Sequence, residues 1–216
     1  KRKKEWTPQW KKKSQQMEHL IDSTVPPLSE PALFRFLHHH IPAEAALFLS
    51  NSLPIREADQ FFFPTHFKGP IFANRGVSGI EGNIATALGI ATGAKRLTIA
   101  LLGDLATLHD LNSFALVKEC PYPVIFIVIN NQGGGIFSFL PQATTESAFF
   151  EKFLVHTHSL NFESAALLFG IPYKIIHDFS TITQAFEEKK SIILELKTCR
   201  EKTFEICSTL QKKSNL

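Results

Sequence analysis

Two apolar runs, Leu97–Leu102 and Val124–Ile129, each end in a polar loop, Gly103-Asp104 in one case and Asn130-Asn131-Gln132-Gly133 in the other. A stretch of helical pattern, Leu108–Lys118, separates them. The unit reads strand–helix–strand, and such a crossover makes the two strands parallel and the connection right-handed. Neighbouring strands lie about 4.8 Å apart. Asp104 and Asn131 therefore leave the same edge of one sheet, close enough to share a small cation. Open α/β sheets bind their ligands beyond these carboxyl ends.

The oxygen types suit a hard cation. Asp104 offers a carboxylate and Asn131 an amide carbonyl, and the Gly133-Gly134-Gly135 run lets the backbone turn and present a carbonyl of its own. Mg²⁺ takes about six oxygens and commonly draws some from a phosphate. Taken singly, Asp104 reads better as a cap for the next helix and Asn131-Gly133 as a plain turn. The placement of both at equivalent strand ends makes a metal–diphosphate clamp an equal reading.

The length of 216 residues and the 44% hydrophobic content suit one large domain, or one domain with appendages, around a substantial core. No apolar run reaches the roughly 18 residues of a membrane span. Cys120, Cys199 and Cys207 lack metal-ligand spacing, which suits idle thiols in a reducing cytoplasm. The formal charge of +3 conceals an uneven distribution: residues 1–13 carry +6, leaving −3 over the remainder. Nucleic-acid binding would rest on that segment alone. Trp6 and Trp10 stand four apart, on one face of a helix. The expectation is a docking helix with a solvated basic face. The first residue is Lys1 and the only methionine is Met17, so the chain reads as part of a longer polypeptide.

Pro26-Pro27 ends the leading segment. Ser29 is the expected N-cap of a helix that tolerates Pro31 in its first turn. The tract His38-His39-His40 points in three directions on a helix and is not read as a metal site. Further strands are expected at Ala46–Leu49, Ile71–Ala73, Tyr173–Ile176 and Ile192–Leu196. Helices are expected at Asn83–Gly93, Phe149–Leu154, Asn161–Phe169 and Thr181–Lys190, with a terminal helix after residue 200. Strands alternating with helices predict a doubly wound, mostly parallel sheet covered on both faces. The expected organisation is a basic linker at 1–25, a ligand-binding domain at 26–200 and a helical tail at 201–216.

The polar loops follow strands and gather on one edge. They bring Ser52 and Arg56, then Arg75 and Ser78, then Asp104, then Asn131 to Phe137. Two arginines beside a clamped diphosphate suggest an anionic substrate, because Arg grips carboxylate through a rigid bidentate fork. Ile80 and Phe137 read either as packing residues or as an apolar wall above the site.

These loops resemble the thiamine-diphosphate enzymes, whose signature is Gly-Asp-Gly and, one helix and strand later, Asn-Asn. Leu105 replaces the second glycine here. That departure belongs to one of four motifs that are similar to one branch, the 2-succinyl-5-enolpyruvyl-6-hydroxy-3-cyclohexene-1-carboxylate synthases of menaquinone biosynthesis. The motifs are Asn-Ser-Leu-Pro-Ile-Arg at 51–56, Asn-Arg-Gly-Val-Ser-Gly-Ile at 74–80, Gly-Asp-Leu-Ala-Thr-Leu-His-Asp-Leu-Asn at 103–112 and Gly-Gly-Gly-Ile-Phe at 133–137. Glu81 and Gln132 depart mildly from the branch pattern.

The resemblance implies the diphosphate-binding, C-terminal domain of a longer chain, in a thiamine-diphosphate-binding fold. Asp104, Asn131 and the Gly133 carbonyl would hold Mg²⁺, or Mn²⁺, against the thiamine diphosphate. Gly103, Leu105, Ser78, Gly79, Gly135 and Ile136 would border the cofactor, and Ile80 would wedge it into its bent shape. Arg56 and Arg75 would bind substrate carboxylates, with Ser52, Ile136 and Phe137 lining the chamber. The implied reaction decarboxylates 2-oxoglutarate and adds the succinyl unit to isochorismate. The activating glutamate would come from a pyrimidine-binding domain outside this chain, in a homodimer or homotetramer, so the chain alone would be inactive. The alternatives are another carboligase or decarboxylase of the acetolactate-synthase kind, and a non-catalytic scaffold or nucleic-acid-binding remnant.

Overall fold

The computed structural model describes residues 3–144 and 147–214. In chain order the main elements are α1 (Lys3–Thr24), α2 (Glu30–His40), β1 (Ala46–Leu49), α3 (Leu53–Phe61), β2 (Ile71–Ala73), α4 (Asn83–Ala94), β3 (Thr98–Gly103), α5 (Asp104–His109), β4 (Val124–Asn130), α6 (Ser147–Phe150), α7 (Glu163–Phe169), β5 (Tyr173–Ile175), α8 (Ser180–Glu188), β6 (Ile192–Lys197) and α9 (Arg200–Ser214). The strands form one sheet in the order β2-β1-β3-β4-β6-β5, and every pairing is parallel.

Parallel strands buried on both faces need apolar side chains on both, and the central strands have them. Ile99 and Leu101 of β3, with Ile125, Ile127 and Ile129 of β4, point to one core. That core is closed by Leu33, Phe34 and Leu37 of α2, Phe61 of α3, Ile182 of α8 and Ile206 of α9. Ala100, Leu102, Phe126 and Val128 point to the opposite core, closed by Ile84, Ala87 and Leu88 of α4, by Phe114 and by Ala166 of α7. Phe126 meets Phe114 edge-on with centroids 5.2 Å apart.

Ser29 caps α2, its hydroxyl accepting from the Ala32 N–H at 3.2 Å. Met17, Leu20 and Ile21 pack the second half of α1 against the first core. Trp6 and Trp10, in its first half, are 63% and 62% exposed. No helix among the described residues is long and apolar enough to cross a membrane.

One expected helix is corrected. The span Leu108–Lys118 is not continuous: α5 ends at His109, and Leu111–Glu119 is a 3₁₀ run. Asp110 breaks it. Gly82, ahead of α4, has no side chain to cap that helix, and the Asp110 carboxylate does so instead, accepting from the Ile84 and Ala85 N–H groups at 2.6 and 3.1 Å. The expected helix Phe149–Leu154 is likewise split, with α6 followed by a π-turn over Glu151–Val155.

Candidate functional site

The chain runs outward from β1 to β2 and returns to lay β3 on the other side of β1. This reversal opens a crevice at the carboxyl ends of β1 and β3, the usual ligand position of such sheets. A pocket lies there. Ser52, Ile80, Gly103, Leu105, Ile136 and Phe137 line its walls, with Asp104, Asn131, Gly133 and Gly135 at its base.

β3 and β4 pair with Gly103 opposite Ile129, which sets Asp104 and Asn131 at one edge. Asp104 is only 3% exposed. Its Oδ1 accepts from the Leu105 N–H at 2.6 Å and its Oδ2 from the Gly133 N–H at 3.0 Å. Burial pushes this carboxyl above the usual carboxylate range, and the N–H groups of Gly133 and Leu105 and the nearby His158 pull against it. A cation in the pocket would supply the countercharge.

Asn131 donates through Nδ2 to Glu30 Oε1 at 3.1 Å. Its Oδ1 is buried without a hydrogen-bond partner. A buried amide oxygen left unpaired costs about 1–3 kcal/mol. The Gly133 carbonyl accepts from the Gly135 N–H at 2.9 Å, and a carbonyl has a second lone pair to offer. A carboxylate, an orphaned amide oxygen and a carbonyl thus meet at one strand edge, and this donor set fits Mg²⁺.

The glycine loop needs its glycines. Gly133 has φ +147°, and a Cβ there would stand 2.8 Å from the Val155 carbonyl oxygen. A Cβ on Gly134 would meet the Phe137 ring at 2.7 Å. The Gly134 N–H donates to that same Val155 oxygen at 2.7 Å, which pins the loop to the π-turn. Ser52 opens α3 with φ 73° and ψ −130°. Strain of that kind in a residue other than glycine costs about 1–3 kcal/mol and concentrates at functional sites.

Other expected residues lie outside the pocket. Arg75 and Gly79 border a separate, shallower recess. Arg75 donates to Asn51 Oδ1 at 2.8 Å. Asn51 in turn donates to the Gly79 carbonyl at 2.5 Å, and Asn83 donates to the Ile80 carbonyl at 2.7 Å, so the Gly79-Ile80 turn is held from both sides. Arg56 is exposed and folds back on the Ser52 carbonyl at 2.8 Å. Ser78 is exposed, with its hydroxyl 3.4 Å from the Arg75 carbonyl.

Several participants carry no sequence motif. His158 Nε2 lies 3.2 Å from Asp104 Oδ2, within ion-pair distance but misaligned for a hydrogen bond. Glu195 of β6 is fully buried and accepts from Asn130 Nδ2 at 2.8 Å, the Phe162 N–H at 3.0 Å and the Tyr173 hydroxyl at 2.7 Å. Asn130 then holds the Gln132 N–H at 3.1 Å, so β6 fixes the start of the glycine loop. A buried acid in an apolar strand was the one available signal.

Comparison with known proteins agrees with this geometry. The chain is 46% identical over 146 residues to the 2-succinyl-5-enolpyruvyl-6-hydroxy-3-cyclohexene-1-carboxylate synthase of Rubrobacter xylanophilus, which covers 68% of this chain and 25% of that protein. It is 35% identical over 213 residues to the synthase of the same name from Salinibacter ruber, covering 95% of this chain and 35% of that one. The chain thus spans about a quarter to a third of the length of the curated relatives it matches. A crystal structure from Mycobacterium smegmatis, assigned as a thiamin diphosphate-dependent enzyme, superposes with a TM-score of 0.61. It covers 80% of this chain and 32% of its own at 18% identity, and it shows the fold. Residues 58–196 match the thiamine pyrophosphate enzyme C-terminal TPP-binding domain, the stretch that carries Asp104, Asn131 and the glycine loop, and the chain belongs to that family.

Proposed function

We propose that this chain is the diphosphate- and Mg²⁺-binding part of a cytoplasmic synthase that decarboxylates 2-oxoglutarate and joins the succinyl unit to isochorismate. The orphaned Asn131 Oδ1 beside the Asp104 carboxylate and the Gly133 carbonyl carries the reading. Those three groups hold Mg²⁺, or Mn²⁺, against the cofactor diphosphate. Gly103, Leu105, Gly135 and Ile136 border the cofactor, Ser78 and Gly79 close the loop behind it, and Ile80 supports its bent shape. Bound there, thiamine diphosphate supplies the electron sink that decarboxylation of a 2-oxoacid requires.

Arg75 keeps donors free for a substrate carboxylate while Asn51 holds its guanidinium. Arg56 reaches a second carboxylate by leaving its bond to the Ser52 carbonyl. Ser52 and Phe137 wall the chamber and keep water from the reacting carbons. A pyrimidine-binding domain, in a homo-oligomer, completes the site. The chain assembled with such a domain, Mg²⁺ and thiamine diphosphate is expected to release CO₂ from 2-oxoglutarate in step with isochorismate consumption. Turnover of pyruvate with none of 2-oxoglutarate would overturn the substrates and keep the cofactor site.

A further inference from the structure

Two carboxyl groups lie buried behind the clamp, and nothing in the proposed function uses them. Glu30 opens α2, Glu57 sits on α3, and they are 0% and 3% exposed. Glu30 Oε1 accepts from Asn131 Nδ2 at 3.1 Å and from Thr198 Oγ1 at 2.8 Å. Glu30 Oε2 and both oxygens of Glu57 are buried without a hydrogen-bond partner. Burial raises both groups, and the neighbouring Glu30 charge pushes Glu57 much further.

Stability does not account for such a pair. Replacing a buried polar pair by apolar side chains of similar volume is often neutral or stabilising. Its geometry does account for it. Oε1 of Glu30 already takes two donors and is an acceptor only. An asparagine beside it must offer its NH₂, which turns its oxygen the other way. That oxygen is the unpaired Oδ1 of Asn131, and Asn131 and Glu30 both line the pocket.

We propose that Glu30 is a positioning residue that fixes the Asn131 carboxamide with its oxygen toward the cation. This rests on the reading of Asp104, Asn131 and Gly133 as a Mg²⁺ site. A freely turning amide would present NH₂ to the metal part of the time, and the cation would bind less tightly.

The test is calorimetric titration of Mg²⁺ into the chain assembled with a pyrimidine-binding domain and excess thiamine diphosphate, with thermal unfolding as the folding control. Glu30→Leu is expected to weaken Mg²⁺ about 10- to 100-fold, the usual effect of losing a partner that orients a metal ligand. Glu30→Gln keeps an oxygen for the Asn131 NH₂ and offers its own NH₂ to Glu57, so it is expected to bind Mg²⁺ nearly as wild type does. The double variant Glu30→Leu/Glu57→Leu leaves neither carboxyl buried alone. It decides the matter if Glu30→Leu does not fold, and the same weakening is expected. Unchanged Mg²⁺ affinity in the folded double variant, or equal weakening in Glu30→Gln, overturns the proposal. A wild-type assembly that binds no Mg²⁺ with thiamine diphosphate present overturns the cation site itself, a distinct result.

Discussion

Arg75 lies outside the pocket with one guanidinium N–H committed to Asn51. That bond costs the arginine little as a ligand, because four further donors remain. In the assembled protein, Arg75→Ala is expected to raise the KM for a dicarboxylate about tenfold or more, on the ~1.5–3 kcal/mol scale of a hydrogen bond to a charged group. Cofactor affinity is expected to hold. Arg75→Lys is expected to restore little, since ammonium cannot copy the fork. Steady-state kinetics on both substrates checks this, and an unaltered kcat/KM for both would remove Arg75 from the site. Asp104, Asn131 and the glycines were legible residue by residue because their chemistry is written in adjacent positions. Glu30 and His158 were not: each reaches the clamp from a distant part of the chain, and only the folded sheet brings them there.

At the scale of elements, the sheet was readable because buried parallel strands require unbroken apolar runs. The six strands fall where such runs stand, within a residue at most ends. The segment after β3 was harder. Its pattern suits one helix from Leu108, but Asp110 serves α4 instead of its own helix, a tertiary demand that periodicity does not carry. Asp110→Ala should therefore destabilise the protein by about 1–2 kcal/mol, the cost of losing a helix cap. Denaturant unfolding measures it, and a change within error would mean that α4 is capped by solvent. The glycine loop makes a second prediction at this scale. Gly133→Ala places a Cβ 2.8 Å from the Val155 oxygen at φ +147°. It is expected to shift the loop and weaken Mg²⁺ binding without unfolding the sheet, as read by calorimetry and circular dichroism.

At the scale of the molecule, one reversal of strand order places the crevice, and apolar layers on both faces hold the sheet whose edge carries the loops of β1, β3 and β4. The buried pair Glu30 and Glu57 gives the whole protein a pH signature. Glu57 is held well above the ordinary carboxyl range by burial and by the Glu30 charge, so the native state keeps a proton that the unfolded chain gives up. The stability this contributes is fully present below the unfolded value and is lost as pH rises toward the native one. The Tm is expected to decline as pH rises above the ordinary carboxyl range, and Glu57→Gln, neutral throughout, should flatten that decline. A slope unchanged by the substitution would place the pH dependence elsewhere. Trp6 and Trp10, expected on a docking face, are exposed in the structure. The most direct measurement is thiamine diphosphate binding by calorimetry to the chain assembled with a pyrimidine-binding domain, with Mg²⁺ and with a chelator, for wild type and Asp104→Ala. Binding that needs Mg²⁺ and is lost in Asp104→Ala is the predicted result; binding indifferent to both would contradict the clamp.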